Sequence, residues 1–307
     1  MEIIKDCLNY HSDRKNIVTL GKFDGLHRGH RKLFEFMRGI RRDEGIAAFT
    51  FDYSIRDTLM GERSYFIFDD DEKRYILKGQ GVDLLVECAF DDEVKRTAPE
   101  VFVEEYLVKG LNASCIVVGE DYHFGVNRSG DYRLLASLAK KYGYSFYRIP
   151  KEVCGGVSVS STLIRSELSA GHIEKVNELL GIPYFCMGTV LPGAKKGRTL
   201  GARTVNQPLS ERKLLPPFGV YFSKCIVDGN EYEAISNLGV KPTFDGERAP
   251  GLETHLLDYE GDLYGKEVIV EFYHFHRSEK RFESKEALAA RIADDTQAAL
   301  KYWRING

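Results

Sequence analysis

Two histidines close a glycine-rich stretch near the start of the chain. The residues from Gly21 to His30 read GKFDGLHRGH, and they lie between a predicted strand and a predicted helix. Glycines let a backbone approach a ligand closely, and the free amides of a helix N-terminus bind anions. His27 and His30 are three residues apart, so both lie on one side of the first helical turn. The pattern predicts a polyphosphate site; the alternative is a glycine-rich turn with two surface histidines.

A group of hydroxyl side chains precedes an arginine at a second predicted helix start. The residues are Ser160, Ser161 and Thr162, followed by Arg165. Hydroxyl groups at this position cap a helix or bind phosphate, and an arginine in the first turns can hold the same polyphosphate. An ordinary N-cap followed by a solvated arginine is the alternative interpretation.

The second half of the chain carries a basic, glycine-rich segment between Gly188 and Asn206. Its glycines are Gly193, Gly197 and Gly201, and its cations are Lys195, Lys196 and Arg198. Backbone amides and cationic side chains in such a loop can surround a phosphate group. A solvated basic hairpin remains open as the alternative.

Short apolar runs alternate with helical patterns through the first half of the chain. This alternation predicts an α/β domain with a doubly wound parallel sheet, whose ligand lies at the carboxyl ends of the strands. The predicted strands are Ile17–Leu20, Ile46–Phe51, Leu84–Cys88, Cys115–Gly119 and Ser145–Ile149, and the predicted helices cover 31–42, 70–80, 99–109 and 132–142.

The pattern changes after about Ile182, where strands separated by turn residues follow one another. This predicts an antiparallel barrel or sandwich, and we expect a β-barrel that is closed by one long helix. The predicted strands are Phe185–Val190, Val220–Val227, Glu231–Leu238, Glu253–Leu257 and Glu267–Phe275, and the helix is Lys285–Trp303. Pro183 ends the preceding helix, so the predicted domains are 1–183 and 184–307.

Composition limits the classes of function. The 307 residues include 43 Lys+Arg and 46 Asp+Glu, which gives a net charge of −3 and argues against a nucleic-acid binder. No apolar run reaches the length of about 18 to 20 residues that spans a bilayer, so no membrane association is expected. The six cysteines lack any C-x-x-C spacing, which predicts reduced thiols in a cytoplasmic protein. The sequence leaves the oligomeric state open.

The chain resembles the prokaryotic bifunctional riboflavin kinase/FAD synthetase family. The resemblance rests on the motif from Gly21 to His30, on GEDYHFGVNRSGD at 119–131, and on SSTLIR at 160–165. It implies a nucleotidyltransferase domain that transfers AMP from ATP to FMN and yields FAD and pyrophosphate. It also implies that His27, His30 and Arg165 are catalytic. The nucleotide or flavin would contact Gly21, Phe23, Asp24, Gly25, Gly29, Asn127, Ser160, Ser161 and Thr162.

The second half resembles the riboflavin kinase module of the same family. The matching stretches are 188–206, SNLGVKPTF at 236–244 and ETHLLDYEGDLYGK at 253–266. The resemblance implies that Thr204 and Asn206 hold Mg²⁺ with ATP phosphate, through the oxygen ligands that Mg²⁺ prefers. Glu253 would be the general base for the ribityl hydroxyl. The residues implied to bind phosphate are Gly193, Lys196, Gly197 and Arg198.

Two departures from the family pattern affect the expected function. Ala202 and Arg203 replace a Phe-Pro pair beside the expected Mg²⁺ ligands, and Tyr53 and Ile55 replace two prolines near the expected flavin phosphate. We therefore expect FAD synthesis with weak or absent riboflavin kinase activity. One alternative is an FMN adenylyltransferase with a degenerate kinase domain. The other is a catalytically inactive regulatory protein that binds flavin.

Overall fold

The computed structural model describes residues 1–5, 7–52, 57, 64–191, 204–242, 248–259, 261–280 and 282–306. The chain divides into two compact units. The first comprises Met1–Phe66 and Lys73–Ser161, and the second comprises Ile67–Glu72 and Thr162–Gly307.

The first unit is a parallel α/β unit, as the sequence predicts. Its sheet has six strands in the order β1-β4-β3-β2-β5-β8, and every neighbouring pair is parallel. The strands are β1 (Glu2–Ile4), β2 (Asn16–Leu20), β3 (Gly45–Asp52), β4 (Leu84–Ala89), β5 (Ala113–Gly119), β6 (His123–Phe124), β7 (Gly130–Asp131), β8 (Ser145–Ile149), β9 (Val153–Cys154) and β10 (Val157–Ser158). The helices that begin before residue 161 are α1 (Arg28–Ile40), α2 (Asp70–Gly79), α3 (Asp92–Arg96), α4 (Pro99–Val101, continuing as the π-helix Phe102–Gly110) and α5 (Tyr132–Tyr142).

The order of the strands determines where the unit can bind a ligand. Strand β2 lies between β3 and β5, so the chain turns in opposite directions on its two sides. A crevice opens at the carboxyl ends of the strands at such a point, and the segment that follows Leu20 begins there. All five residues of β2 are buried, as expected for a strand that is covered by helices on both faces.

Two local features of this unit differ from the predictions. The helix after Pro99 is a π-helix from Phe102, with Leu111 N donating to Tyr106 O at 2.9 Å, whereas the apolar pattern predicts an ordinary α-helix. Strand β1 was not predicted, because three residues are too short to show a pattern of alternation.

The second unit is an antiparallel barrel, which confirms the predicted fold class. Its strands pair in the order β11-β16-β13-β14-β15-β12. An isolated bridge between Leu191 and Asn206 brings the two edges together. The elements are α6 (Ser161–Ala170), α7 (Ile173–Leu180), β11 (Tyr184–Thr189), β12 (Thr204–Pro208), β13 (Gly219–Val227), β14 (Asn230–Pro242), β15 (Arg248–Leu256), β16 (Glu267–Ser278) and α8 (Lys285–Asn306).

Helix α8 packs on the outside of the barrel. Trp303 is 4% exposed and shares an apolar cluster with Val220, Phe222 and Ile235. The predicted helix Lys285–Trp303 is therefore confirmed, with its end extended to Asn306. No helix in the described part of the chain has both the length and the apolar character needed to cross a bilayer.

One prediction about the cysteines is wrong. Cys7 and Cys88 form a disulfide bond across a separation of 81 residues, whereas their spacing predicts six reduced thiols. Cys115, Cys186 and Cys225 are buried, and burial raises the pKa of each thiol to about 12. These three thiols are therefore protonated at neutral pH. Sequence spacing could not identify the bonded pair, because it is the parallel sheet that brings residue 7 near β4.

A buried ion pair fixes residues 67–72 within the second unit. Lys213 Nζ donates to Glu72 Oε2, and both side chains are 1% exposed. Glu72 Oε1 also accepts from Met187 N at 3.0 Å. Glu72 and Asp69 exchange two hydrogen bonds of 3.0 Å as a capping box at the start of α2. Burial raises the pKa of Glu72, while the charge of Lys213 opposes that shift.

Removing the lysine tests how strongly the second unit depends on this pair. We expect Lys213→Met to destabilise the unit by about 3–5 kcal/mol, because an unpaired carboxylate stays buried. Part of the loss should be recovered on acidification, since protonation removes the buried charge of Glu72. Denaturant titrations at pH 7 and pH 5 measure both effects.

The matched control is Lys266→Met, which removes the exposed ion pair with Asp228. A surface pair of this kind contributes at most about 1 kcal/mol. Equal losses of stability in the two variants would contradict the importance of the buried pair.

Candidate functional site

The turn after β2 is held in an unusual backbone conformation by two buried apolar side chains. Phe23 and Leu26 have φ angles of 49° and 43°, yet they are 1% and 0% exposed. Gly25 between them has φ of 81°, which costs a glycine little. Gly21 N donates to Phe49 O at 3.1 Å, so the turn begins on the sheet itself. The chain is thereby directed into α1.

The predicted histidine pair stacks at the start of α1. His27 is the N-cap residue, and the ring centroids of His27 and His30 are 3.8 Å apart with an interplanar angle of 22°. The ring of Phe23 meets His30 edge-on at 5.5 Å. A Cβ atom at Gly29 would lie 3.2 Å from the imidazole of His27, so a larger residue there would have to displace the ring by a few tenths of an ångström.

Neither imidazole has its full set of hydrogen bonds. Nδ1 of His27 and Nδ1 of His30 are enclosed, and no group in the described part of the chain bonds to them. Buried polar atoms of this kind are costly unless a ligand or water completes them. Both nitrogens therefore lack a partner that a ligand or water would have to supply.

Burial keeps the imidazoles neutral. It lowers the pKa of His27 to about 4, and it lowers the pKa of His30 well below its usual value, with further lowering by the charge of His27. In the unfolded chain the imidazole of His27 binds a proton near pH 6.5, whereas in the folded protein it binds one only at about pH 4. The contribution of His27 to stability therefore falls as the pH falls through that window.

A carboxylate that the sequence analysis missed acts on the same histidine. The charge of Asp121 raises the pKa of His27 against the effect of burial. Asp121 lies just beyond the carboxyl end of β5, and its carboxylate is 3.3 Å from Lys151 Nζ. Asp121 belongs to the GED stretch of the second motif, which is the sequence signal that could have identified it.

The first and third motifs meet in the structure. Ser161 Oγ donates to the backbone carbonyl of Asp24 at 2.8 Å, which joins the start of α6 to the turn after β2. Asp24 is 8% exposed, Ser160 and Ser161 are half-buried, and Thr162 is exposed. Arg165 follows Ser161 by one turn of α6.

Asn127 lies in the short hairpin between β6 and β7. It is exposed, and its φ of 53° places it in the left-handed region. Pro99 packs beneath this hairpin so closely that a Cβ atom at Gly125 or Gly130 would lie within 2.8 Å of it. The hairpin is thus fixed to the start of α4.

In the second unit, two predicted residues are cross-strand neighbours. Asn206 on β12 lies directly opposite Glu253 on β15, and both are half-buried. Thr204 occupies the start of β12, opposite His255. The neighbouring positions Val205 and Thr254 are buried; Asn206 and Glu253 therefore share the face that points away from the barrel interior.

Leu191, the last described residue before the basic segment, lies beside Asn206. Its backbone N donates to Asn206 O at 2.8 Å, and Thr204 is the first described residue after the segment. Gly193, Lys196, Gly197, Arg198, Ala202 and Arg203 lie outside the described residues, as do Tyr53 and Ile55.

The position of Asn206 fits a hard cation that also binds phosphate. Asn206 offers an amide oxygen beside the carboxylate of Glu253, and Mg²⁺ is commonly held by a few protein oxygens together with substrate phosphates. The described residues hold no group of three or more His, Cys, Asp or Glu side chains that could bind a metal ion unaided. A site completed by the substrate is consistent with both observations.

The histidine pair on β16 has a structural role. His274 Nδ1 lies 2.6 Å from Glu174, and His276 Nε2 lies 3.2 Å from Asp295. Asp295 also accepts hydrogen bonds from Arg277 at 2.6 and 3.0 Å. These contacts attach β16 to the surrounding helices.

Comparisons with known proteins match both halves of the chain. The family model of FAD synthetase matches residues 9–163, and that of riboflavin kinase matches residues 180–303. A crystal structure from Streptococcus pneumoniae, described as a macrolide-efflux protein, superposes with a TM-score of 0.82 at 29% identity over 97% of both chains.

Two curated bacterial proteins with one shared description align over almost their whole length. Both are described as bifunctional riboflavin kinase/FMN adenylyltransferase. The Pseudomonas fluorescens protein is 33% identical over 97% of each chain. The Bacillus subtilis protein is 32% identical over 94% of this chain and 93% of its own. The chain therefore belongs to the bifunctional riboflavin kinase/FMN adenylyltransferase family.

Proposed function

We propose that the first unit transfers AMP from ATP to FMN. The observation that carries this proposal is the stacked pair of neutral imidazoles, each with an Nδ1 that has no partner among the described residues, at a helix start beside the switch point of the sheet. This arrangement supports the binding of a polyphosphate, because neutral imidazoles and helix amides can donate hydrogen bonds to its oxygens.

In the proposed reaction, a phosphate oxygen of FMN attacks the α-phosphorus of ATP. The bond to the β-phosphate breaks, and pyrophosphate leaves. Phosphoryl-type transfer needs alignment and charge neutralisation rather than a protein nucleophile. His27 and His30 stabilise the charge that develops on the phosphate oxygens. Asp121 favours the protonated form of His27, and Ser161 holds the turn that carries Asp24. Arg165 is proposed to bind the departing pyrophosphate.

We propose that the second unit binds riboflavin and ATP, and that it phosphorylates riboflavin weakly. Asn206 and Glu253 are cross-strand neighbours. This supports a role for Glu253 as a base beside a phosphate-bound cation. Mg²⁺ would neutralise phosphate charge when bound. Glu253 accepts the proton of the attacking ribityl hydroxyl. Arg203 brings a guanidinium near these ligands in sequence, and it can compete for the same phosphate.

We further propose a cytoplasmic enzyme that acts on small molecules, without nucleic acid or membrane. The net charge of −3 supports the absence of a nucleic-acid partner. The Cys7–Cys88 bond is unusual for the cytoplasm.

One experiment tests both activities. The protein is incubated with ATP, Mg²⁺ and either FMN or riboflavin, and the flavin products are separated. Formation of FAD from FMN supports the first proposal. Flavin binding without any product would instead favour the regulatory alternative.

His27→Asn should lower the kcat/KM of FAD synthesis by about a hundredfold, the usual cost of losing one group that stabilises transition-state charge. Steady-state assays with FMN and ATP measure this. His11→Asn is the matched control, because His11 is exposed and outside the site. Comparable rates in the two variants would contradict the role of His27.

Nucleotide binding should take up protons. Polyphosphate charge raises the pKa of His27 from about 4 in the free protein, so affinity should rise as the pH is lowered from 8 to 6. Calorimetry in two buffers with different ionisation enthalpies measures the protons taken up. His27→Asn corrects for ionisation of the nucleotide itself, and an identical proton uptake in that variant would be evidence against the linkage.

Restoring the family pair should increase kinase activity. We expect the double substitution Ala202→Phe, Arg203→Pro to raise the rate of riboflavin phosphorylation about tenfold or more, since a misplacement of about 1 Å can cost a hundredfold. FAD synthesis from FMN is the internal control and should not change. Robust FMN formation by the unchanged protein, with no gain in the variant, would overturn the explanation.

A further inference from the structure

Asn237 extends the row of polar side chains in the second unit. It lies on β14 directly opposite Glu253 on β15, and Glu253 lies opposite Asn206 on β12. Its neighbours Ser236 and Leu238 are both 0% exposed, whereas Asn237 is half-buried. Asn206, Glu253 and Asn237 therefore lie side by side on one face, with Glu253 in the middle.

The side chain of Asn237 has an unused acceptor. Its Oδ1 is enclosed, and the described residues offer it no hydrogen-bond donor. Buried acceptors are nearly always paired in folded proteins. The missing donor is therefore expected to come from a ligand or from water.

Geometry separates Asn237 from the proposed cation. Asn206 and Asn237 are two interstrand spacings apart, or about 9–10 Å. This spacing places Asn237 farther than Glu253 from the proposed cation beside Asn206. Asn206, which is proposed to hold the phosphate-bound cation, lies on one side of Glu253, and Asn237 lies on the other. In an in-line transfer, the alcohol approaches from the side opposite the leaving group.

We propose that Asn237 Oδ1 accepts a hydrogen bond from a hydroxyl of the polyol chain of the flavin, next to the hydroxyl that Glu253 deprotonates. This inference rests on the proposed binding of riboflavin by the second unit. Asn237 acts as a specificity residue, because a flavin without hydroxyl groups would leave its acceptor unpaired. A site built around a substrate hydroxyl rejects analogues that lack it.

The test compares riboflavin with lumiflavin, which carries a methyl group in place of the polyol chain. Trp303 is the only tryptophan of the chain, and it packs against the barrel, so quenching of its fluorescence follows flavin binding. Substitutions on β14 leave the sequence of the first unit unchanged. Flavin binding there contributes equally to each variant and cancels in the comparison.

We expect Asn237→Ala to weaken riboflavin binding about tenfold, the effect of one hydrogen bond, and to leave lumiflavin binding unchanged. Asn237→Ser keeps a hydroxyl acceptor and should recover part of the affinity for riboflavin. The serine variant also provides the test if the alanine variant folds poorly. Asn230→Ala is the matched control, because Asn230 is an exposed asparagine on the same strand.

Three outcomes would overturn the inference. Equal weakening of both flavins would indicate a structural role for Asn237. Unchanged riboflavin affinity in Asn237→Ala would indicate that Oδ1 binds only water. If the unchanged protein shows no Trp303 quenching by riboflavin, the proposed function of the second unit fails together with the inference.

Discussion

The first unit is organised around two stacked imidazoles whose Nδ1 atoms are enclosed without a hydrogen-bond partner among the described residues. Stacking His27 on His30 removes both rings from water and lowers the pKa of each. The buried Phe23 and Leu26 hold the turn in a conformation that residues other than glycine seldom adopt. Strain of this kind persists where the surrounding packing enforces it. The fold thus accepts a cost in stability to keep two nitrogens available for a ligand.

In the barrel, the register of the strands determines which polar side chains face away from the interior. Period-two alternation places Val205, Gln207 and Thr254 towards the interior and leaves Asn206 and Glu253 on the other face. A slip of one residue would exchange these two sets. The buried hydroxyl chain of Ser223, Ser236 and Thr254, with oxygen separations of 2.7 and 2.8 Å, helps to fix that register.

Local pattern was sufficient to predict most of the fold. Apolar runs predicted β2 to β5 and β8 in the first unit. The contact between Ser161 and Asp24 joins residues 137 apart, so only the resemblance linked them in advance. Strand β12 was missed, because Thr204 to Pro208 alternate weakly and follow a glycine-rich segment. Asn237, Glu253 and Asn206 are neighbours only because three strands pair in one register. The sequence of a single strand does not reveal that register.

The burial of Glu72 also bears on how such a protein can be rearranged by gene fusion. The acid that neutralises Lys213 comes from residues 67–72, far upstream of the barrel strands in the gene. A barrel expressed from residue 162 onwards would contain Lys213 but lack Glu72. The ammonium group of Lys213, which is 3% exposed here, would then lose the carboxylate that pairs with it. Exchange of the barrel between relatives should therefore succeed only when the short upstream segment travels with it.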